Sequence, residues 1–509
     1  MPPEDRICWD KKVIHLRKRI PIFYSALLLT GVNLLLRLVS TSFQVYISGR
    51  IGASGVGLLQ LVLSVGSMSM TAGMAGIRTA TMYLTAEELG RNRSGTITWV
   101  LTGCFLYSLL CSSLVGLGIY LAAPTLASNW IGHPQTVQAI RLFSFFLPVV
   151  CLSGVMSGYF TAANRIGTLA AVEVAEQLCS MAVTMVMLTF WAGTDPVKAC
   201  YGVILGSSFG ACLTFLCLLI LRLLEREKPG SRIPVARRLA DTAVPLALAD
   251  DLKAGISTTE NLMVPRRLAL YTGSEAALAQ FGTVCGMVFP VMMFPAAILF
   301  GLAELLIPEL ARCNAAGSRK RIHYLVHRSL RVTLLYGVTF SGLLYLLSRE
   351  LCLGLYDSAE AGRYLRRFSI LVPMLYCDAI TDAMTKGLGQ QKACVRYNIL
   401  TSGLDVIFLY FLLPKYGVGG YFLSFFVTHL LNFILSLRRL LRMTGQRIPV
   451  YVPATVLSVQ FLSVWAVSHL RSIPGRILGF PTMLFSALTL LGIVRKEDLD
   501  WLTGLLRRK

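Results

Sequence analysis

The length of the apolar blocks constrains this chain more than any other feature. Residues 27–36, for example, are interrupted only by Thr30, Gly31 and Asn33. A helix needs about 20 mainly apolar residues to cross the hydrocarbon core of a bilayer. Fourteen stretches meet or approach that length: 21–48, 57–82, 96–122, 138–162, 168–191, 199–222, 242–265, 276–307, 330–348, 365–388, 394–413, 418–437, 449–469 and 477–494. Span 7 is unusually polar and span 14 is short. The longest segment between spans is about 20 residues, too short for a soluble catalytic domain. Charged residues make up 15% and hydrophobic residues 55%, against about 25% charged in an ordinary soluble chain. The expected fold class is an all-α polytopic membrane protein with about 14 transmembrane helices.

Lys and Arg number 48 against 26 Asp and Glu, a formal charge of +22. In a soluble protein that excess would point to nucleic acid. In a membrane protein it first reports orientation. With the N-terminus in the cytoplasm, and with Arg222, Arg331, Arg366, Arg367 and Arg396 at span edges counted with the adjoining loops, the inner segments carry 32 of the 48 and the outer loops 11; the five deeper within spans are Arg37, Arg78, Arg141, Lys253 and Lys386. The bias predicts an even number of spans with both termini cytoplasmic and no nucleic-acid partner. The apolar stretch after the basic first 20 residues is too long for a signal-peptide core and lacks a cleavage site, so it is expected to be a retained first span.

Several functional classes drop out. The 13 cysteines are scattered, mostly inside apolar blocks, with no C-x-x-C; they read as buried thiols. His323 and His327 stand four apart without the surrounding H-E-x-x-H of a zinc site, and read as a solvated helix face. Gly52-Ala-Ser-Gly55-Val-Gly57 is glycine-rich, but no strand precedes it and no Gly-Lys-Ser/Thr follows, so it is not a phosphate loop.

An internal repeat organises the spans. Val39-Ser-Thr-Ser-Phe-Gln44 in span 1 lies on Ile256-Ser-Thr-Thr-Glu-Asn261 in span 7 without a gap. Arg141, Phe143, Ser144 and Pro148 in span 4 coincide with Arg366, Phe368, Ser369 and Pro373 in span 10 at an offset of 225. A six-helix unit repeated in parallel is an arrangement associated with alternating-access transport. The expected organisation is a basic cytoplasmic tail (1–20), an N-lobe of helices 1–6 (21–225), a basic linker (226–241), a C-lobe of helices 7–12 (242–442), and helices 13 and 14 with a cytoplasmic tail (443–509). The two lobes are pseudo-symmetric, and the last two helices lie outside the repeat.

Charge within a span is costly and normally faces a cavity or a partner. At 100° per residue, Asn33, Arg37, Ser40, Thr41, Gln44 and Ser48 form one stripe on span 1. Asp250, Lys253, Ser257, Glu260 and Asn261 form another on span 7. Repeat alignment lays Asn33 on Asp250, Ser40 on Ser257 and Gln44 on Asn261, so both stripes are expected to line one hydrophilic cavity. Asp378, Asp382 and Lys386 on span 10 share a face and can pair; their repeat partners are Ser153, Ser157 and Thr161. Asp405 is a further acid within span 11. Arg78, with Arg266 and Arg267 at the outer end of span 7, suits an anion, because the guanidinium fork donates two parallel hydrogen bonds. The alternative for Arg266 and Arg267 is snorkelling to lipid headgroups.

Ser25-Ala-Leu-Leu-Leu-Thr30, Leu36-Arg37-Leu38 and Ile51-Gly52-Ala-Ser-Gly55-Val-Gly57-Leu-Leu-Gln60 together resemble the opening of a known family. Ser157-Gly-Tyr-Phe160, Val174-Ala-Glu-Gln177, Val264-Pro-Arg-Arg-Leu268, Pro414-Lys-Tyr-Gly417 and Lys496-Glu-Asp-Leu499 follow in the same order. The family is the polysaccharide flippases related to stage V sporulation protein B, within the multidrug/oligosaccharidyl-lipid/polysaccharide exporter superfamily. Where its lipid II flippase branch carries further cavity arginines, this chain has Phe43 and Gln280.

The resemblance implies two six-helix lobes, alternating access and, for this branch, movement of a lipid-linked oligosaccharide across the bacterial cytoplasmic membrane by a monomer. Arg37, Arg78 and Lys253 would then neutralise phosphate, while Asn33, Ser40, Gln44, Ser257 and Asn261 meet sugar. Glu260, Arg266 and Arg267 complete the substrate-binding candidates. Asp250, Asp251, Asp378, Asp382 and Asp405 are candidates for coupling to Na+ or H+, with no other cofactor expected. Membrane lipids are the other expected partners, through the basic inner loops and through Leu499, Trp501, Leu502, Leu505 and Leu506 at the inner interface. The alternatives are a cation-coupled multidrug antiporter of the same superfamily and, in a different class, a membrane-embedded saccharide polymerase or ligase.

Overall fold

The computed structural model describes the backbone of residues 4–90, 94–163, 165–224, 235–446, 451–470 and 472–493, with side chains from Leu34 onward except those of Ser94, Ile166, Asp241, Thr242, Pro245, Leu246, Ala249, Glu304 and Leu305. The N-terminal tail's side chains, most of the basic linker and the C-terminal tail, including the Lys496–Leu499 motif and the interface residues from Leu499 to Leu506, lie outside the described residues. Helices fill what is described, and no strand occurs among those residues.

The chain packs as two units, one of Met1–Ala269 with Gly273–Gly282 and the other of Leu270–Thr272 with Thr283–Lys509. The first is built from α1 (Glu4–Met74), α2 (Ile77–Gly90), α3 (Ile97–Thr125), α4 (Val137–Ala162), α5 (Ile166–Met187), α6 (Pro196–Leu223), α7 (Ala236–Thr272) and nearly all of α8 (Ser274–Thr283). The second holds α9 (Phe289–Met293), α10 (Ala296–Ala315), α11 (Arg319–Tyr356), α12 (Ala359–Phe368), α13 (Val372–Gly387), α14 (Gln391–Tyr416), α15 (Val418–Thr444), α16 (Tyr451–Ser468) and α17 (Ile473–Leu490). By sequence repeat α7 opens the second copy; by packing it belongs to the first unit.

Among the described residues, eleven helical stretches are long and apolar enough to cross a membrane. One, Leu34–Leu89, is 56 residues long and contains the second span and most of the first. The two absent are the polar ones, α7 and α12–α13, so the set is compatible with fourteen spans. Within α1 the helix bends at Gly52, whose φ of 69° favours a residue without Cβ. The neighbouring glycines admit close packing: a Cβ on Gly57 would lie 2.3 Å from the Leu278 carbonyl oxygen, and one on Gly282 would lie 2.0 Å from that of Ala53. The glycine-rich run is therefore a helix-crossing surface, of the small-residue kind that membrane helices use.

The repeat recurs as local geometry. Arg141 lies over the Tyr120 ring at 5.0 Å, and Arg366 over the Tyr345 ring at 4.6 Å, both residues displaced by 225. Ser144 Oγ donates to the Arg141 carbonyl at 2.8 Å, and Ser369 Oγ to the Arg366 carbonyl at 3.0 Å. The left-handed positions Gly132 (φ 82°) and Asp357 (φ 50°) are related by the same offset. Each unit repeats one local construction. Outside the repeat, α16 and α17 pack on α11; Phe480 is fully buried, and a Cβ on Gly342 would lie 2.1 Å from its ring.

Helix α7 is fastened to the first unit at one end. Arg238 donates through Nη2 to Glu87 (2.6 Å) and through Nη1 to Glu88 (3.0 Å), and Thr96 Oγ1 donates to Glu88 at 2.8 Å. These two carboxylates, Glu87 first, hold the Arg238 pKa above its ordinary value. Farther along, Thr258 Oγ1 donates to the Ser64 carbonyl at 3.3 Å. The polar face of α7 is thereby set opposite the second half of α1.

Candidate functional site

A cavity of about 640 Å³ opens between these helices, wholly within the first unit. Its α7 wall is Asp250, Lys253, Ala254, Ser257, Thr258 and Asn261, a stripe at i, i+3, i+4, i+7, i+8 and i+11. The facing wall comes from α1, with Gln60, Ser64, Ser67 and Thr71 among Leu63, Met70 and Met74. Gly76, Arg78 and Thr79 close it. Asp250, Lys253, Ser257 and Asn261 make no hydrogen bond or ion pair with any described residue, so their polar atoms remain available to a ligand.

The closing residues sit at a break in the helix. Ala75 (φ 43°) and Gly76 (φ 71°) both adopt left-handed backbone between α1 and α2. For Ala75 this costs about 1–2 kcal/mol. The Tyr107 hydroxyl donates to the Ala75 carbonyl at 3.4 Å, satisfying an acceptor the break exposes. A helix start carries unpaired N–H groups and partial positive charge. Here the first turn of α2 supplies Arg78 and Thr79 to the cavity lining, and α7 supplies Lys253. Arg78 is 55% exposed, and its ion-pair partner is Glu173 on α5, at 3.8 Å. The arrangement can bind an oxyanion through a helix start and two cations, with hydroxyl and amide groups nearby for a polar head.

The structure thus gathers Arg78, Asp250, Lys253, Ser257 and Asn261 from the sequence candidates. Arg37, Ser40, Gln44, Glu260, Arg266 and Arg267 do not line this cavity, and the Asn33 side chain lies outside the described residues. The wall opposite α7 comes from span 2, not from the polar face of span 1. Sequence reasoning passed over Gln60, Ser64, Ser67 and Thr71. Their spacing of three and four was a visible signal, but Ser64 and Thr71 donate to their own helix, to Gln60 (2.8 Å) and Ser67 (3.0 Å), as packing hydroxyls do. Asp251 is turned from the cavity; its Oδ1 is buried without a hydrogen-bond partner.

The second unit has a smaller cavity of about 190 Å³, lined by Asp378, Asp382, Asn398, His429 and Asn432 among apolar residues. Asn432 Nδ2 donates to both Asp378 oxygens, at 3.1 and 3.0 Å. Lys386 pairs with Asp382 Oδ2 at 2.7 Å. Asp382 Oδ1 and Asn432 Oδ1 are buried acceptors without a hydrogen-bond partner. Asp405 does not line this cavity; its Oδ1 accepts from Ser424 (2.5 Å) and Thr428 (3.1 Å), and its charge acts on His429 of the cavity wall. Asn398, His429 and Asn432 were not singled out from sequence. Single polar residues on separate helices show no partnership until the helices pack.

No protein-family model matches the chain. A curated relative, stage V sporulation protein B of Bacillus subtilis (strain 168), is 21% identical over 412 residues, covering 77% of this chain and 78% of the relative. It belongs to the group that the sequence motifs resemble. A solved structure of the lipid II flippase MurJ in an inward closed conformation superposes with a TM-score of 0.68, at 11% identity, over 92% of this chain and 100% of that one. An inward-facing multidrug resistance MATE family transporter of the MOP superfamily superposes with a TM-score of 0.65, at 14% identity, over 85% of this chain and 99% of that one. The chain has this fold: an all-α, multi-pass membrane architecture.

Proposed function

We propose that this protein is an alternating-access flippase that moves a lipid-linked oligosaccharide across the cytoplasmic membrane. The observation that carries it is the large cavity, whose lining brings together Arg78 from the first turn of α2, Lys253, and the hydroxyl and amide groups of Ser257, Asn261 and Gln60. The similarity to a sporulation protein of the flippase group and to the lipid II flippase fold supports the same reading. The pyrophosphate binds between Arg78, Lys253 and the α2 N–H groups, because aligned donors and positive charge favour an anion. Ser257, Asn261 and Gln60 contact the sugars, and the lipid tail remains in the bilayer. The termini are cytoplasmic and the working unit is a monomer. The protein carries a substrate without altering it.

Asp378, Asp382, Asn398 and Asn432 form the coupling-cation site of this proposal. The second cavity is too small for a glycan head and presents carboxylate and amide oxygens, the donors suited to Na+ or to an exchangeable proton. A multidrug antiporter would use the same cation site. With Arg78 and Lys253 against one lining acid, Asp250, the large cavity favours an anionic over a cationic cargo. The test is reconstitution of the full chain in liposomes with a fluorescent lipid-linked saccharide. The wild type should move it across the bilayer and the double variant Arg78→Ala, Lys253→Ala should not. Unchanged movement by the double variant refutes the phosphate clamp, and efflux of cationic dyes without lipid movement favours the antiporter.

A further inference from the structure

The charges around the large cavity balance. Arg78 and Lys253 are positive; Asp250 on its wall and Glu173 beside Arg78 are negative. Such balance is what keeps cations tolerable in a membrane while the cavity holds no anion. The two acids on α5 differ in their attachments. Glu176 accepts a hydrogen bond from Thr214 at 2.6 Å, fixing it against α6. Glu173, one turn earlier, touches Arg78 Nη2 at 3.8 Å, a charge contact longer than a hydrogen bond. Both members of the pair keep solvent exposure, 55% and 34%, so the contact is weak and readily exchanged. A phosphate, with several oxygens, fits the guanidinium fork in the two-bond geometry that this single long contact lacks.

Resting on the anion-binding role given to the cavity, we propose that Glu173 is a placeholder counter-ion. It holds Arg78 when the cavity is empty, yields it to the phosphate of the entering head group, and retakes it on release. Glu173 is then a positioning residue that sets how tightly the anion is held. A strong dianion displaces it and a weak monoanion does not. Its return to Arg78 lowers the barrier to release, because the guanidinium exchanges one negative partner for another without standing unpaired.

The test titrates inorganic pyrophosphate into the purified full-length chain in zwitterionic nanodiscs, by calorimetry. Glu173→Gln removes the competing charge and should tighten binding roughly two- to fivefold, the range expected for an exposed ion pair. In an Arg78→Ala background the same substitution should change nothing, a coupling that a purely structural role would not produce. Glu176→Gln should have a smaller effect than Glu173→Gln. In the liposome assay Glu173→Gln should lower the turnover rate together with the half-saturating substrate concentration. If Glu173→Gln does not purify as a folded protein, Glu173→Asp, one methylene shorter, should shift affinity in the same direction. Wild-type binding with unchanged or weaker binding by the Glu173 variants overturns the placeholder role alone. An equal gain in the Arg78→Ala background overturns it too, as a general field effect. No pyrophosphate binding by the wild type overturns the anion site and the placeholder role with it.

Discussion

Helix α7 in the first unit leaves Asp250, Lys253, Ser257 and Asn261 without a hydrogen bond or ion pair to any described residue, around a space of about 640 Å³. Helix α13 in the second unit carries a comparable row, Asp378, Asp382 and Lys386, but engages it: Asn432 binds Asp378, and Lys386 binds Asp382, around about 190 Å³. The charged groups of α13 have only hydroxyls at the repeat-related positions of α4. There Ser153 Oγ donates to the Val150 carbonyl (2.8 Å) and Thr161 Oγ1 to the Ser157 carbonyl (2.7 Å), leaving little to offer a ligand. Two polar helices of one sequence copy, packed in different units, have been specialised in opposite senses. Free donors in a roomy cavity suit a hydrated polar head that must come and go. Paired carboxylates in a small one suit an ion stripped of most of its water.

The largest expected effect breaks this contrast from the first side. Arg78→Ala with Lys253→Ala should weaken pyrophosphate binding by at least about a hundredfold, since hydrogen bonds to charged groups are each worth about 1.5–3 kcal/mol. The paired change Asp378→Asn with Asp382→Asn should leave that binding within about twofold. Calorimetry on both double variants checks the difference, and equal losses would show that the cavities are not specialised.

The next effect comes from the second side. Asp378→Asn keeps the shape and removes the charge that Asn432 grips. Transport of the lipid-linked substrate should lose its dependence on a Na+ or H+ gradient, with the gradient-driven component falling by roughly tenfold or more for about 1.5–3 kcal/mol lost at a charged ligand. Asp405→Asn should lower that component less than Asp378→Asn, because Asp405 does not line the cavity and is held by Ser424 and Thr428. Flux measured under imposed gradients separates the two, and a loss confined to Asp405→Asn would move the cation site.

Much of the architecture could be read directly from the chain. Span lengths follow from bilayer thickness, and the 225-residue offset reappears in the stacked Arg141–Tyr120 and Arg366–Tyr345 pairs. The α7 wall was legible too, because charge repeating at helical spacing inside an apolar stretch has few structural explanations. The opposite wall was not. Its Ser and Thr residues look like helix-packing hydroxyls, and the helix break falls at Ala75-Gly76, where alanine is a strong helix former. The break is met by another helix, through the Tyr107 hydrogen bond to the Ala75 carbonyl, a contact that the local sequence does not announce. Span 1 carried the stronger polar stripe in sequence, yet Arg37, Ser40 and Gln44 do not line the cavity. Helical periodicity identifies a polar face but not its neighbour.

The smallest effect tests whether the two scaffolds remain equivalent beneath their different cavities. Tyr120→Leu and Tyr345→Leu each remove the ring under one stacked arginine, at 5.0 and 4.6 Å, while preserving an apolar side chain. A cation–π contact is worth about 0.5–1 kcal/mol at an exposed site and about 2 when desolvated. If the repeat is still energetically symmetric, the two variants should destabilise the protein by amounts within about 0.5 kcal/mol of each other. The difference that remains should favour the first unit, since Arg366 is the more exposed of the two arginines and its pair the better screened. Thermal melts of the detergent-solubilised protein at low and high salt resolve this. A much larger loss for Tyr345→Leu would mean that specialisation of the second unit has extended from its cavity into its frame.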